Sequence, residues 1–296
     1  MSINHCPTPV DGHFVDCGFA NLDYYQIAFL GLVQGITELL PVSSTAHLRV
    51  VPSFMGWPDP GTAFTAAMQL ASFFAVIIYF KKEILAIFLG TIRAILNKNF
   101  HTFEFKLGMG IILGTLPIVV FGLTIKPLLN SPGNAFRSLY VIGAASVVMG
   151  LLLILAEKVT KKLRNFNELN MRDCLLVGLA QVLALIPGVS RSGSTITAGL
   201  FLGLKRETAA AFSFILGVPA IVGAGLKEIH ELQKAHLSTA GWESLGFGLL
   251  VGSCAAFIAV FLLMKYIEKK SMLIFAWYRV ILGTILVLGT YIGYLK

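Results

Sequence analysis

The sequence predicts an all-α polytopic membrane protein: six full transmembrane helices plus two re-entrant helical hairpins, arranged as inverted-topology repeats. Three observations predict it. Of 296 residues, 56% are hydrophobic and 13% charged, whereas a soluble domain carries roughly 25% charge; the mean hydropathy is +0.80. Six apolar stretches are long enough to cross a bilayer, and two shorter ones stop at proline-marked polar turns. The two halves of the chain also resemble each other at a fixed offset.

Composition argues against a soluble α/β protein. The net charge of +8 does not imply nucleic acid, because no Lys/Arg cluster carries an RNA- or DNA-binding motif and basic residues of membrane proteins gather in cytoplasmic loops. Residues 1–23 contain Asp11, Asp16 and Asp23 without Lys or Arg. They lack the basic n-region of a signal peptide and are expected to form an external segment. The cysteines, Cys6, Cys17, Cys174 and Cys254, show no CxxC spacing, which speaks against a metal or redox centre. Cys174 and Cys254 read as packing residues; Cys6 and Cys17 can pair if their segment lies outside the cytoplasm.

The elements follow in order. Residues 25–40 are apolar but too short to span and end at Pro41-Val-Ser-Ser-Thr; a short run returns at 48–55. A full span needs about 20 apolar residues, so half-helix, polar turn and half-helix read as a re-entrant hairpin, tolerated at depth only inside protein or beside a water-filled cavity. Spans are expected at 64–80, 107–125 and 138–156, with an amphipathic interfacial helix over 83–98. Residues 174–186 then end at Pro187-Gly-Val-Ser-Arg and a short run returns at 196–204, a second hairpin. Spans at 208–226, 245–265 and 273–294 complete the chain.

Alternation of these spans puts fifteen Lys/Arg on one side and six on the other. The positive-inside rule makes the fifteen cytoplasmic. Both termini are then external, the first hairpin enters from outside and the second from the cytoplasm. Gly31-Leu32-x-Gln34 matches Gly178-Leu179-x-Gln181, and Ser43 matches Ser190, at an offset of 147. Each half, 24–156 and 157–296, holds one hairpin and three spans within one membrane domain. Three is odd, so the halves run in opposite senses, and inverted repeats place their broken helices face to face near the midplane.

Glu38 is the one acidic residue in an apolar stretch expected at depth. Arg191 reads as the one deep basic residue, with Arg279 placed near the cytoplasmic end of the last span. Charges inside a membrane mark function by default. The groups beside them suit phosphate. Ser43, Ser44, Thr45, Ser190, Ser192, Ser194 and Thr195 offer hydroxyls, and Arg191 offers a planar fork of donors. Gly188 and Gly193 admit close backbone approach, and helix N-termini favour anions. Gln34 and Glu38 lie four apart on one helix face, where a carboxylate can hold a divalent cation or accept a proton. His47 suits general acid or base work; its plainer alternative is a hydrogen-bonded packing histidine. Gln69 either lines the cavity or bonds a neighbouring helix.

These motifs, Gln34-x-x-x-Glu38 with Pro41-Val-Ser-Ser-Thr-Ala-His47, and Pro187-Gly-Val-Ser-Arg-Ser-Gly-Ser-Thr195, resemble the bacterial undecaprenyl-diphosphate phosphatases of the bacitracin-resistance type over residues 24–294. The resemblance implies hydrolysis of undecaprenyl diphosphate to undecaprenyl phosphate and inorganic phosphate, recycling the cell-wall lipid carrier in the inner membrane. It also implies Mg²⁺ or Ca²⁺, an externally facing site and a link to bacitracin resistance. On the matching positions, Ser44 is the expected nucleophile with His47 as its rival or a proton carrier. Glu38 is the metal or acid/base glutamate and Arg191 the phosphate-binding arginine. Ser43, Thr45, Ser190, Ser192, Gly193, Thr195 and Gln69 are expected around the substrate. Gln34 is expected beside the metal with Glu38, at a position where many members carry Glu. The expected partners are the polyprenyl diphosphate and the bilayer, with room for a homodimer and no nucleic acid. The competing class is an inverted-repeat transporter or flippase of an anionic lipid. An intramembrane serine protease fits less well, since Pro41-Val-Ser-Ser-Thr is not a Gly-x-Ser-x-Gly motif.

Overall fold

The computed structural model describes residue 15 and residues 17–129 and 138–293. Among these the regular structure is helical: α1 (Tyr24–Leu39), α2 (Ser44–Met55), α3 (Gly61–Tyr79), α4 (Lys81–Leu96), α5 (Phe103–Leu129), α6 (Leu139–Val159), α7 (Met171–Val182), α8 (Arg191–Phe201), α9 (Arg206–Lys234), α10 (Thr239–Ile267) and α11 (Leu273–Tyr291). Six of them, α3, α5, α6, α9, α10 and α11, are long and apolar enough to cross a membrane, at the places the sequence indicates. The chain is a multi-pass membrane protein. Outer faces carry exposed Leu116, Val120, Leu250, Phe261, Ile281 and Ile285, which in lipid is the expected surface. The expected Cys6–Cys17 pairing involves residue 6, outside the described residues.

Local rules set the helix starts. Asp23 opens α1 with a capping box, accepting from Gln26 N while Gln26 Oε1 accepts from Asp23 N. Asn170, 147 residues on, opens α7 with the same device through Asp173. Such boxes satisfy orphan N–H groups at a helix start. The helices after both breaks begin within the two motifs, as expected, at Ser44 and Arg191. The reason is the cap: the Ser43 hydroxyl accepts from Ala46 N and that of Ser190 from Gly193 N. Both serines sit at positive φ, 74° and 70°, uncommon for a residue with a side chain. The motif residues therefore occupy the first turns of α2 and α8.

Small residues let the helices close. Gly35 of α1 faces the backbone of Gly252 on α10, and Gly178 of α7 faces that of Gly114 on α5; an added Cβ would overlap the opposing carbonyl in each case. Lipid supplies no hydrophobic drive between helices, so close backbone approach carries the packing. α8 and α9 form the middle, with Ile196, Leu200, Phe212, Phe214 and Leu216 all fully buried. At the 157–172 loop, Glu157 accepts from Arg206 Nε at 2.8 Å and Met272 N at 2.6 Å. Arg164 donates to Asp173 at 2.9 Å and to Leu202 O at 3.1 Å, and its pairing with Asp173 raises the guanidinium above its ordinary pKa. α4 covers α5 with Ile87 and Ala94 and leaves Leu85, Phe88, Leu89, Ile92, Ile95 and Leu96 outside.

Candidate active site

The two breaks meet. Ser192 Oγ on α8 donates to Leu40 O at 3.0 Å and lies 3.2 Å from Glu38 O, the end of α1. Arg279 on α11 ties both turns together, donating from Nη1 to Pro41 O at 3.2 Å and from Nη2 to Gly188 O at 2.8 Å and Val189 O at 2.7 Å. Gly193 makes room for it, since a Cβ there would overlap Arg279 Nη1. Arg279, expected near the cytoplasmic end of the last span, therefore serves the two breaks as well. It lies six residues into α11, about 9 Å along the axis, is 1% exposed and bonds carbonyls that a non-helical turn leaves without partners. Two arginines, not one, sit at the breaks.

Glu38 is the hub. Its Oε2 accepts from Gln34 Nε2 at 2.9 Å and from the Ser44 hydroxyl, and its Oε1 accepts from Arg191 Nη2 at 3.3 Å. Glu38 stands at the C-terminal end of α1, where the helix dipole disfavours negative charge; three converging donors offset that and the cost of burial. Arg191 spends one nitrogen on Glu38, while its buried Nε and Nη1 have no protein partner. Buried polar groups without partners are rare, and here they are anion-seeking donors at the N-termini of α2 and α8. Gly217 on α9 leaves the space in which the guanidinium lies.

A hard divalent cation takes oxygen donors. Gln34 Oε1 is buried without a partner beside the Glu38 carboxylate. One carboxylate and one amide oxygen suit a cation whose remaining ligands are phosphate oxygens and water. Among the described residues no three His, Cys, Asp or Glu side chains gather into a closed metal cage.

The other expected residues divide into two groups. His47, on the first turn of α2, has Nδ1 2.7 Å from Ser43 O and Nε2 2.6 Å from the Tyr278 hydroxyl. Thr45 is half-buried on the same turn. Ser190, Ser192, Ser194 and Thr195 spend their hydroxyls inside the protein. Ser190 caps α8, Ser194 and Thr195 donate to Arg191 O at 3.0 and 2.7 Å, and Thr195 lies 2.5 Å from Ser213. Short polar side chains at helix starts find backbone partners first. Gln69 sits half-buried on α3, and the hydrogen bonds around Glu38 run without it. Sequence reasoning missed Tyr278 and Gly217, which carry no motif, and gave no role to Arg279, although a lone arginine inside an apolar helix signals one.

The geometry gathers a hydroxyl, a carboxylate and a guanidinium with two unpaired donors at the starts of α2 and α8, groups of the chemistry that binds anions. The family model described as bacitracin resistance protein BacA matches residues 27–285. The chain is 50% identical over 263 residues to undecaprenyl-diphosphatase 2 of Mesorhizobium japonicum, covering 89% of this chain and 100% of that one. It is 48% identical to the undecaprenyl-diphosphatase of Synechocystis sp. over 93% of this chain and 84% of that one. It is 44% identical to that of Trichodesmium erythraeum over 98% and 92%. A match over most of its length, with both polar turns inside it, makes this chain a member of the BacA family of bacitracin resistance proteins.

Proposed function

We propose that this chain is an undecaprenyl-diphosphatase of the bacterial inner membrane. It hydrolyses undecaprenyl diphosphate to undecaprenyl phosphate and inorganic phosphate, returning the lipid carrier to cell-wall synthesis. The observation that carries the site assignment is the cluster of Ser44, Glu38 and Arg191, with Arg191 Nε and Nη1 unspent.

In this reading the terminal phosphate lies against Arg191 and the first turns of α2 and α8. Ser44 Oγ attacks the terminal phosphorus and its proton passes to Glu38. The Oγ–P bond forms as the bridging P–O bond breaks, and undecaprenyl phosphate leaves. Water then cleaves the phosphoserine, releasing inorganic phosphate and restoring the hydroxyl. Arg191 offsets charge on the phosphoryl group in flight. Ser44 is preferred to His47 as nucleophile because it already faces a carboxylate, whereas both nitrogens of His47 are engaged. Ser43 and Thr45 flank the phosphate, Ser190, Ser192, Gly193 and Thr195 shape its second wall, and Gln69 borders the cavity. Glu38 and Gln34 would hold Mg²⁺ or Ca²⁺, which supplies further charge neutralisation on the diphosphate.

The helix pairs α1/α2 and α7/α8 are re-entrant hairpins in inverted repeats. Asp23 and Asn170, Gly31 and Gly178, and Ser43 and Ser190 play matching local roles 147 residues apart, and Gln34 and Gln181 are both buried. Both termini lie outside and the site faces outward; two chains can associate as a homodimer. The same matching roles favour a second reading, an anionic-lipid carrier, since inverted repeats around broken helices are a transporter design. Phosphate release from a polyprenyl diphosphate by the purified protein with Mg²⁺ decides between them. Release is expected; lipid movement without release would favour the carrier.

A further inference from the structure

Tyr278 has no motif and no part in the reaction as written above, yet among the described residues its hydroxyl is the one side-chain group bonded to His47. The imidazole geometry fixes what each nitrogen does. Nδ1 lies 2.7 Å from Ser43 O; a carbonyl only accepts, so Nδ1 carries the proton. In the neutral ring Nε2 is then an acceptor, and the Tyr278 hydroxyl, 2.6 Å away, donates to it. The two rings are stacked, with centroids 5.7 Å apart and planes within 9°, so the imidazole cannot turn freely.

The setting is asymmetric. His47 is 8% exposed, whereas Tyr278 is 44% exposed and stands among Ile274, Trp277 and Ile281 on the outer, apolar face of α11. His47 is therefore one side chain away from the lipid-facing surface, and that side chain is Tyr278. The next residue, Arg279, pins both turns. One stretch of α11 thus sets the turns with one residue and the imidazole with its neighbour.

We propose that Tyr278 is a positioning residue for His47, holding the imidazole in its Nδ1-protonated tautomer with Nε2 accepting from the Tyr278 hydroxyl. The proposal rests on the reading of this site as a lipid-diphosphate hydrolase. A ring partner that fixes tautomer and orientation is of the kind whose loss costs tens-fold in function when the ring takes part in chemistry. No substrate contact is required of Tyr278 itself.

The test is Tyr278→Phe, which keeps the ring stack and removes the hydroxyl. In ¹⁵N-histidine-labelled protein in lipid nanodiscs, with His47→Gln used to assign its signals, the wild type is expected to show the Nδ1–H tautomer alone. Tyr278→Phe is expected to show the Nε2–H form as well. Turnover of a polyprenyl diphosphate is expected to lose about tenfold in kcat with KM within about twofold, at unchanged thermal stability. An unchanged tautomer overturns the proposal. So does a changed tautomer with unaltered kcat, and so does a rise in KM at constant kcat, which would make Tyr278 a substrate contact. A wild type that releases no phosphate would defeat the hydrolase reading instead, and the tautomer measurement would still decide this one.

Discussion

Gly217 and Arg191 share a space that only a missing side chain provides: a Cβ on Gly217 would overlap Arg191 Nη1. The phosphate-seeking guanidinium is therefore seated by a glycine on a different helix. Gly217→Ala is expected to push Arg191 off Glu38 and lower kcat/KM for polyprenyl diphosphate by about a hundredfold, the scale of losing one preorganised donor. Overpacking of this kind costs about 1–3 kcal/mol, so the variant should still purify folded. Wild-type turnover would show that the seat does not matter.

Ser44 and Glu38 act as a unit if the hydroxyl proton passes to the carboxylate. Ser44→Ala and Glu38→Gln are each expected to reduce phosphate release by about a thousandfold or more, and the double variant by no more than the worse single one. Multiplying losses in the double variant would mean that the two residues serve separate steps.

Gln34 stands beside Glu38 with its Oε1 unpartnered. Gln34→Glu places a second carboxylate there and removes the amide donor to Glu38. The variant is expected to reach full turnover at lower Mg²⁺, because a bound cation relieves the repulsion between the two carboxylates. A titration with the same midpoint as the wild type would remove Gln34 from the metal site.

Arg279 bonds three backbone carbonyls with no carboxylate among its partners. Hydrogen bonds to a charged group contribute about 1.5–3 kcal/mol each, and Arg279→Met loses all three. Thermal unfolding in detergent is expected to show a loss of roughly 3 kcal/mol or more, with turnover falling in parallel. Gly193→Ala, which crowds the same guanidinium, should reproduce the effect in milder form. Full stability in Arg279→Met would mean that the turns hold themselves.

Orientation has its own check. Lys161 is exposed in the loop between α6 and α7, on the side with the excess of Lys and Arg. Lys161→Cys in intact cells is expected to stay unlabelled by an impermeant maleimide added outside, above the wild-type background, and to react after lysis. Labelling from outside would invert the topology.

Much of this protein was determined by sequence alone. Apolar length placed the six spans, because a bilayer of fixed thickness demands about 20 residues per crossing. Proline and serine marked the two breaks, because a polar turn in apolar surroundings has few other uses. The Glu38–Arg191 pairing was foreshadowed by charges that lipid does not tolerate alone. The tertiary structure decided the rest. Whether a serine faces substrate or its own backbone depends on which partner lies within about 3 Å, and that turned Ser192 and Thr195 inward while leaving Ser44 on Glu38. Gly217, Tyr278 and Arg279 come from α9 and α11, far along the chain from the residues they seat, and no local pattern encodes a contact made across 26, 231 or 238 positions. Composition and periodicity report how a residue meets its solvent; only packing reports which residue it meets.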